Sequence, residues 1–483
     1  MFKKVLALIL ACAMCCAVVG CAESTDKKDD TTSTADKKEP YTQTNLPKYE
    51  NQEFELCGLW APHDITEEAF MLYKDAGFNV CSFTNHDEQP RNSQTQYYIG
   101  SERTMEALKI CKKVGLDVYI AYGASWFNRA NEGDEYFDNK PFSTFDYYGE
   151  YKDIIKGVHI NDEPNKETMT KLSNTELIED FKKVFPNTKY MINLIPETAI
   201  ASRDYVDYPE MLEHYSKDIM SKFDTPYICV DCYLCSNWNV VGLNILNNYN
   251  QIAQTAKKYN AETSFILQSS TGNEFWDEVG ESDMRLQAYL AIAFGADNLQ
   301  YYCYSVPTTY NSEGTEIQSY LYNNCMLNRD RTPSQLYYDV KKVNAEIQSF
   351  ASAVLAYDWQ QSIGISGIEK QTYRVSAIEL DENWEKVEMK DAKHYVEAFG
   401  TQDLVVSRFD SEAHGEAYMF VNFGDVPEDI NKVEATFKDC KALAIYGGAG
   451  FTGEPKIVEL DEKGSCVLEF AYGDGAFIVP LAA

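Results

Sequence analysis

The chain has 483 residues, and 75 acidic against 43 basic side chains give it a formal charge of −32. So acidic a surface excludes electrostatic capture of nucleic acid or of anionic lipid, while the length leaves room for two or three domains with a sizeable core. Aromatic residues reach 13% with 34 tyrosines, more than a core alone requires and suited to clefts that hold sugar rings.

In chain order the first element is a leader. MFKKVLALILACAMCCAVVG sets two lysines before an apolar run too short for a comfortable membrane span, and it closes on small residues as a secretory signal does. The segment Val18-Val19-Gly20-Cys21 resembles the bacterial lipobox, with a signal peptide containing a chance Cys as the alternative. The resemblance implies that 1–21 is removed or modified at Cys21, whose thiol takes the lipid. The mature protein is then expected outside the cytoplasm, lipid-anchored to the bacterial cell membrane. Residues 22–50 are polar, charged and nearly free of apolar side chains, which predicts a disordered tether.

From residue 54 short β-like runs alternate with amphipathic segments. The runs are 54–62, 78–86, 116–123, 155–164, 189–196, 226–234, 262–270 and 298–305, with starts separated by 24, 38, 39, 34, 37, 36 and 36 residues. Each step holds one strand, one helix and two connections. Residues 66–77 and 103–115 read as helices ending on Gly. After the eighth run Leu336, Val340, Val343, Ile347, Phe350 and Val354 recur at steps of three and four, the stripe of a long closing helix. Eight such units in one run predict a (β/α)8 TIM barrel over 51–360. A doubly wound open sheet is the alternative, disfavoured because no reversal of strand order is evident. Over 361–483 the period changes to two: DLVVSRFD, GEAYMFVNF, KALAIYGG, SCVLEFAYG and GAFIVPL, separated by turn residues, predict a small antiparallel β-sandwich. It carries no chemical motif, and packing against the barrel or binding carbohydrate are its two open roles.

Of the 14 cysteines, Cys12, Cys15 and Cys16 belong to the leader and Cys21 to the lipobox, and the other ten show no short-range disulfide framework. Cys229, Cys232 and Cys235 make a C-x2-C-x2-C run, but it lies in a strand, where residues three apart point to opposite faces. They read as buried thiols rather than a zinc site. No His/Asp/Glu spacing suggests a metal triad and no Gly-rich loop suggests a phosphate, so neither a metal nor a cofactor is expected.

In a (β/α)8 enzyme the active site gathers at the C-terminal ends of the strands. Those ends carry Trp60, Asn85 and His86, Tyr122 with Trp126 just beyond, Asp162 and Glu163, Asn193, Asp231 and Tyr233, Gln268, and Tyr302 and Tyr304. Rings stack on the C–H faces of sugars, while amides and acids bind hydroxyls. The set predicts a neutral, hydroxyl-rich ligand, with His86 binding a hydroxyl or fixing its loop, and with Tyr302 and Tyr304 sharing one face. On its sequence position, His159 inside the fourth strand reads as a satisfied core histidine.

Asn161-Asp162-Glu163-Pro164 resembles the Asn-Glu-Pro signature of the clan A glycoside hydrolases. AFGADNLQYYCYS (293–305) and TPSQLYYDVKKVNAEIQSF (332–350) resemble the seventh-helix to eighth-strand segment and the closing helix of family 42-type β-galactosidase-like proteins. The resemblance implies a sugar-cleaving barrel in which Glu163 is the general acid and Tyr233 stands where a Tyr supports the nucleophile. Such chemistry needs a carboxyl in a partly dehydrated cleft, because a glycosidic oxygen leaves only as it gains a proton. Asp162 either disfavours a second charge beside it or takes the place of the residue that contacts the sugar 2-hydroxyl.

One departure stands out. Retaining clan A enzymes carry a nucleophilic Glu at the end of the seventh strand, and here that position holds Gln268, whose amide forms no stable glycosyl ester. Among Asp231 on the sixth strand and Glu274, Asp277, Glu278 and Glu281 after the seventh, Asp231 and Glu274 are the two expected partners of Glu163. A distant partner predicts inversion and a near one retention. The expected function is a surface-tethered glycoside hydrolase acting on a neutral oligo- or polysaccharide. A non-catalytic glycan-binding lipoprotein on a degenerate barrel is the main rival. A transporter's substrate-binding protein is a weaker one, since such chains are usually two-lobed.

Overall fold

Eight parallel strands close on themselves in sequence order: β1 (Glu55–Gly58), β2 (Val80–Ser82), β3 (Asp117–Ala121), β4 (Ile155–Asp162), β5 (Lys189–Leu194), β6 (Tyr227–Asp231), β7 (Glu262–Gln268) and β8 (Asn298–Tyr302), with β8 pairing back onto β1. Each lies inside one of the eight expected runs. In this computed structural model the described residues are 46–60, 62–83, 97, 101–121, 148–235, 245–270, 278–306, 309–310, 316–317, 325–368, 388–424 and 428–481. The leader, the lipobox with Cys21 and the tether as far as residue 45 lie outside them. No helix among the described residues is long and apolar enough to cross a membrane.

The helices are α1 (Glu67–Asp75), α2 (Glu102–Val114), α3 (Lys166–Leu172), α4 (Thr175–Val184), α5 (Tyr208–Asp218), α6 (Ile245–Tyr259), α7 (Glu281–Ala293) and α8 (Gln335–Val354). Their ends follow local chemistry. Ser101 caps α2 by accepting from the Thr104 N–H, and Gly115 ends it in the left-handed region at φ 75°. Beyond α1, Gly77 has φ 88° and lies so close to α8 that a Cβ there would stand 2.7 Å from Asn344 Cβ. The predicted stripe of α8 is buried throughout, from Leu336 to Val354.

The barrel is filled, not hollow. Cys57, Val80, Tyr119, Met191, Tyr227, Cys229 and Ile266 form one interior cluster. At its N-terminal end the Lys189 ammonium is buried between Glu55 Oε2 at 2.5 Å and Glu262 Oε2 at 2.8 Å, and Tyr119 donates its hydroxyl to the same Glu55 oxygen at 2.5 Å. Burial works to lower the Lys189 pKa, but the two carboxylates outweigh it and hold it above its usual value.

A short antiparallel pair, β9 (Thr309–Tyr310) and β10 (Glu316–Ile317), follows the barrel. The sandwich is built from β11 (Asp358–Ile365), β12 (Tyr395–Gly400), β13 (Leu404–Ser411), β14 (Gly415–Asn422), β15 (Asn431–Phe437), β16 (Ala442–Tyr446), β17 (Lys456–Glu459), β18 (Ser465–Phe470) and β19 (Gly475–Leu481). Six strands in the order β11-β13-β14-β19-β16-β17 face three in the order β12-β15-β18. Leu404, Tyr418, Phe420, Phe437 and Ile478 are among the residues that fill the space between.

The larger sheet also packs on α7 through β13 and β14. There Arg285, 2% exposed, donates from Nε and Nη2 to Glu346 at 2.7 and 3.0 Å and from Nη2 to Glu281 at 2.7 Å, while Gly450 N–H donates to Glu346 at 2.8 Å. Two expected boundaries shift. β11 starts at Asp358, so a break after 360 would cut a strand of the sandwich. The tether ends before residue 50, because Tyr49 sits against Tyr357 and His414, its hydroxyl 3.2 Å from that of Tyr357.

Candidate active site

The residues at the strand ends are aimed by register. Between His159 and Asn161 β4 carries a bulge: His159 pairs with Met191, Asn161 with Ile192 and Asp162 with Asn193. The extra residue reverses the alternation, so that Asp162 joins Asn193 on the inward face, and Asn193 donates its amide to Asp162 Oδ1 at 2.9 Å. Asp162 remains exposed in the mouth although protein surrounds it. That surrounding protein raises its carboxyl pKa, Asn193 opposes the shift, and Glu163 adds to it. Contact with solvent in the mouth moderates the effect.

Glu163 follows at φ 44°, with its N–H donating to the Asn193 carbonyl at 2.9 Å. Five of the eight described non-glycine residues with positive φ are Asn or Asp, which tolerate that region; Trp60 at φ 67° and Glu163, both at the mouth, do not share that tolerance. Arg203, on the 3-10 helix Glu197–Arg203 after β5, forms an ion pair with Glu163 Oε2, and the Glu163 side chain keeps 27% of its surface exposed.

Asp231 ends β6 and is 7% exposed. Its carboxyl lies within hydrogen-bonding reach of Glu163, and its Oδ1 has no hydrogen-bond partner. Burial first, then the charges of Glu163 and Asp162, push its pKa well above the carboxylate range, against an opposing hydrogen bond from Asn193. Among the described residues, three carboxyl groups therefore share the mouth with one guanidinium. Burial and like charge thus favour the protonated form of Asp231, beside a Glu163 that is paired with a cation.

An aromatic wall stands opposite. Tyr302, the last residue of β8, stacks on Tyr233 with ring centroids 5.9 Å apart and meets Trp60 edge-on at 6.1 Å. All three are half-buried. Deeper in the barrel, His159 meets the Tyr119 ring at 6.0 Å, its Nε2 has no hydrogen-bond partner, and burial pushes its pKa down to about 4. Its place in the barrel interior agrees with the sequence reading, but the satisfaction expected of it does not.

Two expected ligand contacts lie elsewhere. Tyr304 is fully buried against Tyr73 and Phe78, with ring centroids at 4.8 and 6.1 Å. β8 ends at Tyr302, so the strict alternation that would have given the two tyrosines one face stops there. Gln268 alternates inward with Ser264 and Ile266 but has no exposed surface, and the Gln287 amide from α7 grips its backbone at 2.9 and 3.1 Å. It offers a ligand nothing. Asn85, His86, Tyr122, Trp126 and Glu274 lie outside the described residues. Of the other acids weighed after β7, Glu281 is committed to Arg285 and Lys342.

Two groups escape a motif search. Arg203 carries no sequence signal beyond being the first basic residue after a strand end. Glu197, also beyond β5, has a buried Oε2 without a partner, and after burial and Asp231 its charge adds to the raised pKa of Cys232, next to Asp231. Among the described residues no group of three or more His, Cys, Asp and Glu side chains has metal-holding geometry.

No family model matches the chain, and no curated protein does. Among solved structures it is similar to a family 39 glycoside hydrolase from the gut symbiont Bacteroides cellulosilyticus WH2, at 13% identity and a TM-score of 0.50 over 90% of this chain and 83% of that one. An α-amylase from Geobacillus thermoleovorans, complexed with acarbose, follows at 10% identity and 0.45, over 89% and 99% of the two chains. A GH30 endoxylanase from Clostridium papyrosolvens C71 gives 10% and 0.40, over 90% and 98%. At such identity the first likeness is one of fold, and the two weaker ones add nothing to it. The chain folds as a TIM barrel followed by a β-sandwich, an architecture it shares with that glycoside hydrolase.

Proposed function

We propose that the protein is a glycoside hydrolase acting on a neutral sugar, with Glu163 and Asp231 as its reactive carboxyl pair. The observation that carries this reading is the interaction of the two carboxyls across the end of β5, from the ends of β4 and β6, in a mouth faced by Trp60, Tyr302 and Tyr233. Cleaving a glycosidic bond takes one protonated and one ionised carboxyl on either side of the anomeric centre. Burial of Asp231 favours its protonated form, Arg203 pairs with the Glu163 carboxylate, and the rings supply apolar faces for the sugar. A mouth with three acids suits an uncharged substrate, because an anionic one would be repelled. Of the two expected partners, Asp231 is the one whose geometry supports the role.

The leader supports a cell-surface location with Cys21 lipidated, which would place this chemistry on polysaccharide fragments outside the cytoplasm. The buried Gln268 at the end of β7 supports the rival reading of a binding protein without turnover. Screening residues 43–483 against aryl glycosides of common hexoses and pentoses separates the two. Turnover that falls by roughly 10²–10⁴-fold in Glu163→Gln is expected. Undiminished turnover in that variant refutes Glu163 as a reactive carboxyl, and sugar binding with no cleavage by the wild type refutes the hydrolase.

A further inference from the structure

We propose that the roles within the pair are the reverse of those implied by the Asn-Glu-Pro likeness: Asp231 donates the proton, and Glu163, held by Arg203, attacks the anomeric carbon. The inference rests on the hydrolase reading and adds to it which residue does what.

The placement of Arg203, the one cation among the described residues that pairs with these acids, decides the matter. Arg203 Nη2 contacts Glu163 and neutralises a negative charge there, on a side chain that also keeps contact with solvent. Asp231 has neither advantage. It is buried, its Oδ1 lacks a partner, and Glu163 and Asp162 both face it. A charge on Asp231 is the least stabilised of the three, so the proton shared by the mouth rests there. Asn193 is the positioning residue. Its amide is bound to Asp162 Oδ1 and also interacts with Asp231, linking the strand ends of β4, β5 and β6. The raised pKa of Asp231 agrees with this allocation without being needed for it.

The chemistry then follows in two balanced steps. A Glu163 oxygen forms a bond to the anomeric carbon as the glycosidic C–O bond breaks, and the leaving oxygen keeps that electron pair and takes the Asp231 proton. Water next attacks the anomeric carbon, giving its proton to the Asp231 carboxylate, and the ester bond to Glu163 breaks to restore its carboxylate. Direct attack by Glu163 makes the reaction retaining, the two carboxyls flanking the anomeric carbon at about 5–5.5 Å. Inversion requires a gap of about 6.5–9.5 Å to hold the water. Retention of configuration is therefore part of the inference.

Leaving-group dependence tests it on the 43–483 protein, with 2,4-dinitrophenyl and methyl glycosides of whichever sugar the wild type cleaves. A dinitrophenolate leaves without a proton. Asp231→Asn is expected to keep bond cleavage on the dinitrophenyl substrate within about tenfold of wild type, and to lose roughly 10²–10⁴-fold on the methyl glycoside. Added azide should accelerate it and give a glycosyl azide of retained configuration. Glu163→Ala and Glu163→Gln should lose cleavage of both substrates, and azide should rescue Glu163→Ala with inverted configuration. The opposite pattern, with Glu163 variants sparing the dinitrophenyl substrate and Asp231→Asn losing both, overturns the assignment while leaving the hydrolase standing. A wild type inactive on every glycoside refutes the hydrolase, and the assignment with it. Thermal unfolding of each variant excludes loss of fold as the cause.

Discussion

The two ends of one barrel hold carboxylates in opposite ways. At the N-terminal end Glu55 and Glu262 close on the buried Lys189 ammonium, and Tyr119 adds a hydroxyl to Glu55. At the C-terminal end, among the described residues, Asp162, Glu163 and Asp231 crowd together with one guanidinium, and Asp231 keeps an unpartnered oxygen. Buried charge is tolerated where it is paired and hydrogen-bonded, and costly where it is not. The base is therefore arranged for stability. The mouth holds polar capacity and backbone strain that folding alone does not account for, as expected of a site kept for a ligand.

The contrast breaks most visibly at the base. Lys189→Met leaves two part-exposed carboxylates without their shared cation, and with solvent screening them a loss of about 1–3 kcal/mol is expected in denaturant unfolding at pH 7. Turnover per folded molecule should be unchanged, since Lys189 lies far from the chemistry. A smaller effect should mark the mouth: Trp60→Ala removes one face of the aromatic wall and should raise KM by about tenfold, roughly 1.4 kcal/mol of binding, with little loss of stability. The smallest effect is expected at Tyr304→Phe. It deletes a buried hydroxyl that has no partner and should change stability by less than about 1 kcal/mol, leaving KM where it was. A raised KM there would return Tyr304 to the ligand contacts from which its burial removes it.

How much of this was legible in the sequence differs by level. The eight strands and the closing helix were, because period and spacing report which faces are buried, and Val340, Val343 and Ile347 lie where their spacing puts them. In the sandwich β15 shows the same period-two pattern, with Val433, Ala435 and Phe437 inward, yet it falls outside the five runs named from sequence. The site was legible only as a set of strand ends. Nothing in GVHINDEP announces the bulge that turns Asp162 inward, because a bulge is a property of pairing with β5. Nor does alternation reveal that β8 stops at Tyr302 and sends Tyr304 into the layer behind. Arg203 belongs to the site through a short 3-10 helix that buries no residue, so no apolar face announces its direction.

The central claim is that the mouth gives up stability to keep a proton on Asp231. For an acid whose folded pKa lies above its unfolded value near 3.9, the folded state binds the proton more tightly. Stability from this group therefore falls as pH rises from about 4 through the raised folded pKa, and the full cost is present above it. The direct measurement is thermal unfolding of wild type and Asp231→Asn from pH 4 to 8, with turnover of the unactivated glycoside recorded alongside. The variant should match the wild type near pH 4 and become more stable towards neutrality, by about 1–2 kcal/mol, while its turnover collapses. A variant that is less stable than wild type at neutral pH, or equally active, contradicts the account.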